Sequence, residues 1–278
     1  MAHMIRYCPA GLSYEEFSRV DSECFPDEPI GSESFERCLQ EGFWGAFDSG
    51  RLVGYCCVVR KPDFAWLSRI GVASSNRGTG VGTRLLKRAI SYWTRTGLND
   101  IILYVESGNE GAIRLYRRFG FLMAESACQY ILRDPQHFTV EAEEEVRAVP
   151  MNELPAEGRP VLPRDWKDIL EMHNPPEQYA LVFHDIDGCC IGYCRLSPGF
   201  PGCFPFVVDE PEKNLKPVIR ALRPLLLPEK DMLKLTFSSD ELDRVCSTLG
   251  LELNYRLFKM IRSHCHGNRD LRKGADAE

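Results

Sequence analysis

Hydrophobic and polar positions along the first half of the chain fall into short runs of clear period. Ile5–Cys8 predicts a first strand. Ser13–Cys24 and Ser32–Gln40 carry apolar residues at helical spacing, each behind a serine suited to cap it, and predict two amphipathic helices. Phe43–Asp48 and Leu52–Val59, joined by Ser49-Gly50, read as a hairpin, and Phe64–Val72 as the next strand of a meander. A glycine-rich turn, Asn76 to Gly82, then opens a long helix with Val81, Leu85, Ala89, Ile90 and Trp93 on one face, closed by Gly97. Ile101–Val105 is a buried-type strand, Asn109–Phe119 a short helix stopped by Gly120, and Tyr130–Leu132 a closing strand.

From Asp134 to Pro163 the chain is acidic and punctuated by prolines, which predicts a connecting region with strand character only at Val146–Val149. Beyond it the earlier pattern returns. Val53-Gly54-Tyr55-Cys56 recurs as Ile191-Gly192-Tyr193-Cys194, after a hairpin beginning at Phe183. Ile70-Gly71-Val72 recurs as Phe206-Val207-Val208, and Leu115 to Phe121 as Val245 to Leu251, with Gly250 matching Gly120. This predicts an internal duplication. The copy lacks the special residues: Lys213, Asn214, Lys216 and Val218 stand for Arg77, Gly78, Gly80 and Gly82, and Cys246 for Tyr116. The expected organisation is a first domain over 5–135, a linker over 136–160, a degenerate copy over 161–262 and a polar tail over 263–278.

With 278 residues, 44% of them apolar and 27% charged, each half has enough apolar mass for a core. No run of about 18 apolar residues predicts a membrane span. Met1 to Met4 carry no signal-peptide pattern, resemble a cloning remnant and stay outside the fold argument, so a cytoplasmic protein is expected. Its 12 cysteines are then expected as reduced thiols. The adjacent pairs Cys56-Cys57 and Cys189-Cys190 read as small buried hydrophobes. His264-Cys265-His266 has ligand-type residues but lies in a polar tail, and no metal is expected.

Net charge is −6, against general nucleic-acid binding. Its distribution is uneven. Nine acids (Glu15, Glu16, Asp21, Glu23, Asp27, Glu28, Glu33, Glu36, Glu41) face two arginines between Ser13 and Glu41. Nine bases, Arg77 and Arg118 among them, face three acids between Arg69 and Arg118. The second segment is suited to an anion. The first suits a cation, or is a solvated helix face.

A strand, a turn with alternating glycines and then a long helix form an anion site. Glycine lets backbone approach a phosphate, and the free N–H groups and dipole of the helix start attract it. A dinucleotide-binding turn would need a parallel βαβ unit with an acid about 20 residues on. A P-loop would need Gly-Lys-Ser/Thr, whereas Thr83 follows Gly82 directly.

Arg77-Gly78-Thr79-Gly80-Val81-Gly82 resembles the Arg/Gln-x-x-Gly-x-Gly/Ala signature of the GCN5-related N-acetyltransferases (the GNAT superfamily). Asn109-x-x-Ala112-x-x-Leu115-Tyr116-x-x-x-Gly120-Phe121 resembles the second signature of that superfamily, in the right order and separation. The motif resemblance covers about Leu52 to Leu132, and tandem members with one active half are a known arrangement. The resemblance implies an α+β fold, a mixed and mostly antiparallel sheet flanked by helices, duplicated in tandem. It implies an acyltransferase that moves the acetyl group of acetyl-CoA, as co-substrate, to a primary amine by direct attack in a ternary complex.

The implied roles are specific. Backbone of Ile70, Gly71 and Val72 would bond the pantetheine arm, and Arg77 to Thr83 (through Gly78, Thr79, Gly80, Val81 and Gly82) would hold the pyrophosphate. Asn109 would orient pantetheine, and Tyr116 would be the general acid at the leaving sulfur. Tyr116 as a packed aromatic and Asn109 as a plain helix cap stay open as simpler readings. Some members carry a Glu base near the position of Trp66; here the strand has no carboxylate, and Glu106, Glu23 or a water on Ser68 remain candidates. A small cationic amine is the expected acceptor, with a peptide or protein N-acetyltransferase and a silent CoA-binding module as alternatives. The chain is expected as a monomeric pseudo-dimer or a homodimer.

Overall fold

The structure, a computed structural model, describes residues 4–7, 11–98, 100–135 and 145–263. His264, Cys265 and His266 lie outside the described residues, as does Cys8. The first half runs β1 (Met4–Tyr7), α1 (Tyr14–Cys24), α2 (Ser32–Glu41), β2 (Phe43–Asp48), β3 (Arg51–Arg60), β4 (Ala65–Val72), α3 (Val81–Arg95), β5 (Asp100–Glu106), α4 (Glu110–Arg118) and β6 (Leu122–Arg133). The second runs β7 (Arg147–Pro150), β8 (Tyr179–His184), β9 (Cys190–Ser197), β10 (Gly202–Val208), α5 (Pro211–Leu222), β11 (Met232–Phe237), α6 (Asp240–Thr248) and β12 (Glu252–Ser263).

The helix starts follow different rules. Ser13 caps α1 as expected, its Oγ accepting from the Glu16 N–H at 3.2 Å. Ser32 caps nothing: it is the first residue of α2, and Gly31 occupies the cap position. The closing strand β6 is four times the expected length, because Leu122 to Ser126 show no strand period and are all exposed; only from Ala127 to Leu132 is it continuously buried.

The chain divides into two compact units. Unit 1 comprises Met1–Tyr104, Glu110–Met123 and Met260–Glu278; unit 2 comprises Val105–Asn109 and Ala124–Lys259. A cut at 135 does not separate them, for a physical reason. From Cys128 to Arg133, β6 forms a continuous antiparallel ladder with β11, Cys128 opposite Phe237 and Arg133 opposite Met232.

In unit 1 the strands run in the order β1-β2-β3-β4-β5. All neighbours are antiparallel except β4 and β5, which are parallel and pair only at Ala65–Ile101 and Trp66–Ile102. Beyond Trp66 the β5 side of β4 has no ladder partner among the paired positions. The two faces of this sheet are filled differently. Phe17, Val20, Phe35, Phe43, Tyr55 and Cys57 form one apolar layer with α1 and α2. On α3, Val81, Leu85, Leu86, Ala89, Ile90 and Trp93 are buried, the face its periodicity predicts.

In unit 2 the order is β12-β6-β11-β10-β9-β8-β7. The duplication is visible in register. Gly54 lies opposite Val72 and Cys56 opposite Ile70; in the copy Gly192 lies opposite Val208 and Cys194 opposite Phe206. The β10–β11 pair is again parallel and short, at Gly202–Lys234 and Cys203–Leu235. Helices α4 and α6 both have nine residues, strands β6 and β12 both twelve. Both helices are left by the same bond, Phe121 N–H to Tyr116 O at 3.2 Å and Leu251 N–H to Cys246 O at 3.0 Å.

Candidate functional site

Two glycines shape the turn before α3. Gly78 and Gly80 have φ of 76° and 83°, which side-chain-bearing residues adopt only under strain, and a Cβ on either would meet nothing within 4 Å. Gly80 occupies the cap position of the 15-residue helix α3 without a side-chain cap bond, and the first helical bond runs from Arg84 N–H to Gly80 O at 3.1 Å. The N–H groups of the first turn, at Val81, Gly82 and Thr83, are thus presented at a helix start. Thr79 braces the turn by donating its hydroxyl to Asn76 O at 2.7 Å. The backbone of the turn is left open where a Cβ would otherwise stand, so its N–H groups are accessible to an anion such as a diphosphate.

Two cations stand beside this turn. Arg77 Nε donates to Val72 O at 3.1 Å, so its side chain lies along β4. Arg118, from the end of α4, donates Nη2 to Thr83 Oγ1 at 3.0 Å and stands at the helix start. Arg118 was legible only as one of nine bases in its segment; the 35-residue separation hid its pairing with Thr83.

Ile70, Gly71 and Val72 lie on β4 beyond its last pairing with β5, so their backbone faces the gap on that side. Tyr116 is buried on α4, 5.7 Å ring to ring from Phe121. Burial first, and then the nearby Cys56 thiol, pushes its phenol above the ordinary value. Cys56 lies opposite Ile70 on the strand beside β4, so Tyr116 reaches the same stretch of sheet as the glycine turn. Asn109 immediately precedes α4 and belongs to unit 2, its N–H donating to Glu106 O at 3.0 Å.

The candidate bases fare unequally. Glu23 accepts from the Ser74 N–H at 2.5 Å; that hydrogen bonding, followed by the charges of Arg77 and Arg19, holds its carboxyl below the ordinary value and makes it a weaker base. Ser68 Oγ donates to Cys57 O at 3.2 Å. Glu106 ends β5 and is exposed. Trp66, where a carboxylate base would stand, is half-buried with Lys61 Nζ 5.5 Å over its ring.

One polar cluster escaped the sequence reading. Asp21 is fully buried in α1, accepts from the Ile30 N–H at 2.9 Å and from the Tyr55 hydroxyl, and forms an ion pair with Arg69, whose Nε lies 2.9 Å from Oδ1. The signal was available. Asp21 shares helical spacing with Phe17, Val20 and Cys24, so an acid sits on the apolar stripe of its helix. Tyr55, which recurs as Tyr193, joins this cluster through its hydroxyl.

In the copy the turn is gone rather than altered. Only Asp209 and Glu210 separate β10 from α5, so Lys213, Asn214, Lys216, Pro217 and Val218 all lie inside the helix. Asn214 is buried and its side-chain amide donates to Asp209 O at 2.7 Å. Among the described residues, no cluster of three or more potential ligands could hold a metal, and no helix is long and apolar enough to cross a membrane.

Comparison with known proteins agrees with this geometry. Residues 12–121 match the acetyltransferase (GNAT) family model. A mycothiol acetyltransferase of Thermobifida fusca is 31% identical over 147 residues, 45% of this chain and 46% of that one. An N-alpha-acetyltransferase of Arabidopsis thaliana is 31% identical over 97 residues, 34% of this chain and 51% of that one. The alignments thus span about half the length of these relatives. A tandem GNAT protein from the clavulanic acid biosynthesis pathway superposes with a TM-score of 0.65 over 94% of this chain and 99% of its own, at 14% identity, which extends the fold to both halves. Residues 12–121 are thus similar to the GNAT acetyltransferases, an acyl-transferring family, and the described chain has the tandem GNAT fold.

Proposed function

We propose that this chain is an N-acetyltransferase that passes the acetyl group of acetyl-CoA directly to a primary amine, most favourably that of a small cationic molecule. The observation that carries the reading is the open glycine turn at the start of α3, lying beside the unpaired stretch of β4. Gly78 to Thr83 offer backbone N–H groups to a diphosphate, with Arg118 adding charge. Ile70 to Val72 offer backbone groups to an extended, amide-bearing arm as a further strand would. Bound acetyl-CoA supplies an activated thioester.

The residues of this chain then have limited but definite work. Tyr116 keeps its phenolic proton throughout the neutral range, because burial raises its pKa, and it is the group suited to protonate the departing sulfur. Direct transfer to the amine uses no enzyme nucleophile, which is consistent with cysteines as buried as Cys56 and Cys57, whose thiols burial holds protonated. With Glu23 weakened, we assign no protein base; the amine loses its proton to water at the open end of the gap.

The acidic segment from Ser13 to Glu41 supports a cationic acceptor. Asp27 is exposed on it, and the segment's negative charge concentrates a cation nearby in a salt-dependent way. The similarity to an N-alpha-acetyltransferase favours a second reading, acetylation of a peptide N-terminus. Calorimetry with CoA, followed by an acetyl-CoA turnover screen over diamines, aminosugars and short peptides at two salt concentrations, tests both. A preferred acceptor of net negative charge would refute the cationic reading; absence of CoA binding would refute the cofactor.

A further inference from the structure

The gap beside β4 is walled differently on the two faces of the sheet. Val72 faces α3 and α4: its Cγ2 stands 3.6 Å from where a Cβ on Gly82 would lie. Arg69 and Gly71 alternate to the other face, where a Cβ on Gly71 would stand 3.0 Å from both Cys24 Sγ and Tyr55 Cε1. With the glycine turn and Tyr116 on the first face, an acceptor has the second face for its approach, past the segment 25–30 that joins α1 to α2.

That segment is held by a buried charge pair. Arg69 Nε meets Asp21 Oδ1 at 2.9 Å, their side chains 15% and 0% exposed. Arg69 Nη2 also donates to the carbonyl of Glu28, and the guanidinium lies 4.0 Å from the centroid of Phe25. Asp21 Oδ2 takes the Ile30 N–H at 2.9 Å, and Tyr14 donates its hydroxyl to Ile30 O at 3.0 Å. The Tyr55 hydroxyl completes the set around Asp21.

A pair this deep is a poor device for stability. Desolvation offsets most of its attraction, and apolar residues would pack as well. The aromatic layer of Phe17, Phe35, Phe43 and Tyr55 already fixes α1 and α2 to the sheet. Outside the pair and Tyr55, the bonds of Asp21 and Arg69 go to one place: the ring of residue 25, the carbonyl of 28 and the N–H of 30. Their distinctive effect is on the conformation of that segment, with Asp27 presented between the anchors.

We propose that Asp21, Tyr55 and Arg69 form a clamp that fixes residues 25–30 as the acceptor-facing wall, so that Arg69 is a positioning residue for the acceptor and not for CoA. This rests on the transferase reading above. The group it favours is a protonated amine neighbouring the reacting one, held through charge by a wall whose geometry cannot relax away.

The test uses the full chain with Arg69→Met, Arg69→Lys and the milder Tyr55→Phe. Hydrogen exchange, read with CoA bound, should accelerate 10- to 100-fold over residues 25–30 in Arg69→Met, while calorimetric CoA affinity stays within about twofold. In an acetyl-CoA assay with 1,4-diaminobutane, spermidine, glucosamine and lysine methyl ester, kcat/KM for the best of the four should fall 10- to 100-fold, chiefly through KM. Arg69→Lys should recover part of it, since it keeps the charge but loses the second donor. If Arg69→Met does not fold, Tyr55→Phe carries the same comparison at smaller amplitude. Unchanged exchange over 25–30 overturns the clamp. Faster exchange with an unchanged acceptor KM overturns its role toward the acceptor, and an equal loss of CoA affinity shows a global effect instead. A wild-type chain that binds CoA but acetylates none of the four amines refutes the cationic-acceptor reading itself; the exchange result then decides whether the clamp holds the segment.

Discussion

Gly80 and Gly82 are two residues apart, yet the structure predicts opposite results for replacing each by alanine. At Gly80, φ is 83° and a Cβ would meet no protein atom within 4 Å. The left-handed conformation costs an alanine about 1–2 kcal/mol, in the free and bound states alike, so it lowers stability by that amount and largely cancels in affinity. What does not cancel is the methyl group itself, which projects into the space that a diphosphate needs to reach the N–H groups. Losing one charge-assisted hydrogen bond there costs about 1.5–3 kcal/mol, or roughly 10- to 150-fold in Kd. At Gly82, by contrast, φ is ordinary, and the methyl would lie 3.6 Å from Leu115 Cδ2 and from Val72 Cγ2, in normal contact and turned away from the turn. Gly→Ala inside a helix gains up to about 1 kcal/mol. Calorimetry of unfolding should therefore show Gly82→Ala unchanged or raised by roughly 2–4 °C, with titration giving CoA affinity within about twofold of wild type. Gly80→Ala should melt lower and bind CoA much more weakly. If both variants bind CoA like wild type, the turn is not the phosphate site. If both weaken equally, affinity follows helix perturbation and not the direction of the added carbon.

Three further outcomes are expected. Tyr116→Phe keeps the packed ring and removes the hydroxyl, so turnover should drop roughly 10- to 100-fold, the low end for a general acid, at constant CoA affinity and melting temperature; a parallel loss of stability would make the residue structural. CoA should titrate with one site per chain, because α5 starts directly after Glu210 and leaves no turn to hold a second diphosphate; two equivalent sites would contradict this. Burial raises the thiols of Cys56, Cys57 and Cys194 and pushes Cys246 up to about 12, so the fold favours their neutral forms. Their stabilisation is complete below the unfolded thiol value of about 8.5 and is lost as pH rises from there toward the folded values. Melting under reducing conditions should be level from about pH 7 to 8 and decline above about 9, and a melting temperature still level at pH 10 would count against it.

The elements of the first half were legible because their periods are clean. The apolar stripe of α3 and the alternation of β2 to β4 need no tertiary context. β6 was cut short because its first five residues, Leu122, Met123 and Ala124 among them, are exposed whatever their polarity, so burial there is set by neighbours that local pattern does not reveal. The glycine turn was legible through two positive-φ glycines and a helix start, a purely local arrangement. What stayed hidden is non-local: Arg118 meets Thr83 across 35 residues, and Asp21 meets Tyr55 and Arg69 across 34 and 48 positions of sequence. The bond from Arg77 Nε to the carbonyl of Val72, at the end of β4 five residues back, was likewise not visible in the motif.

The two halves show which parts of the fold are held by packing and which by chemistry. Register between the third and fourth strands, the short parallel contact to the fifth, and the nine-residue helix with its closing bond all recur, and each serves to bury apolar surface. The turn between the fourth strand and its helix serves no such end. Gly78 and Gly80 bury nothing, and their conformation costs backbone entropy in the unfolded chain. Where no ligand offsets that cost, the shorter route is favoured. In the second half the helix begins six residues earlier relative to its strand, Pro211 fixes its first turn, and Leu215, Val218, Ile219 and Leu222 carry it into the core. A turn kept open at the first position and deleted at the second is what a single ligand site in a duplicated fold would produce, and this argues that the open turn of unit 1 is retained for what it binds.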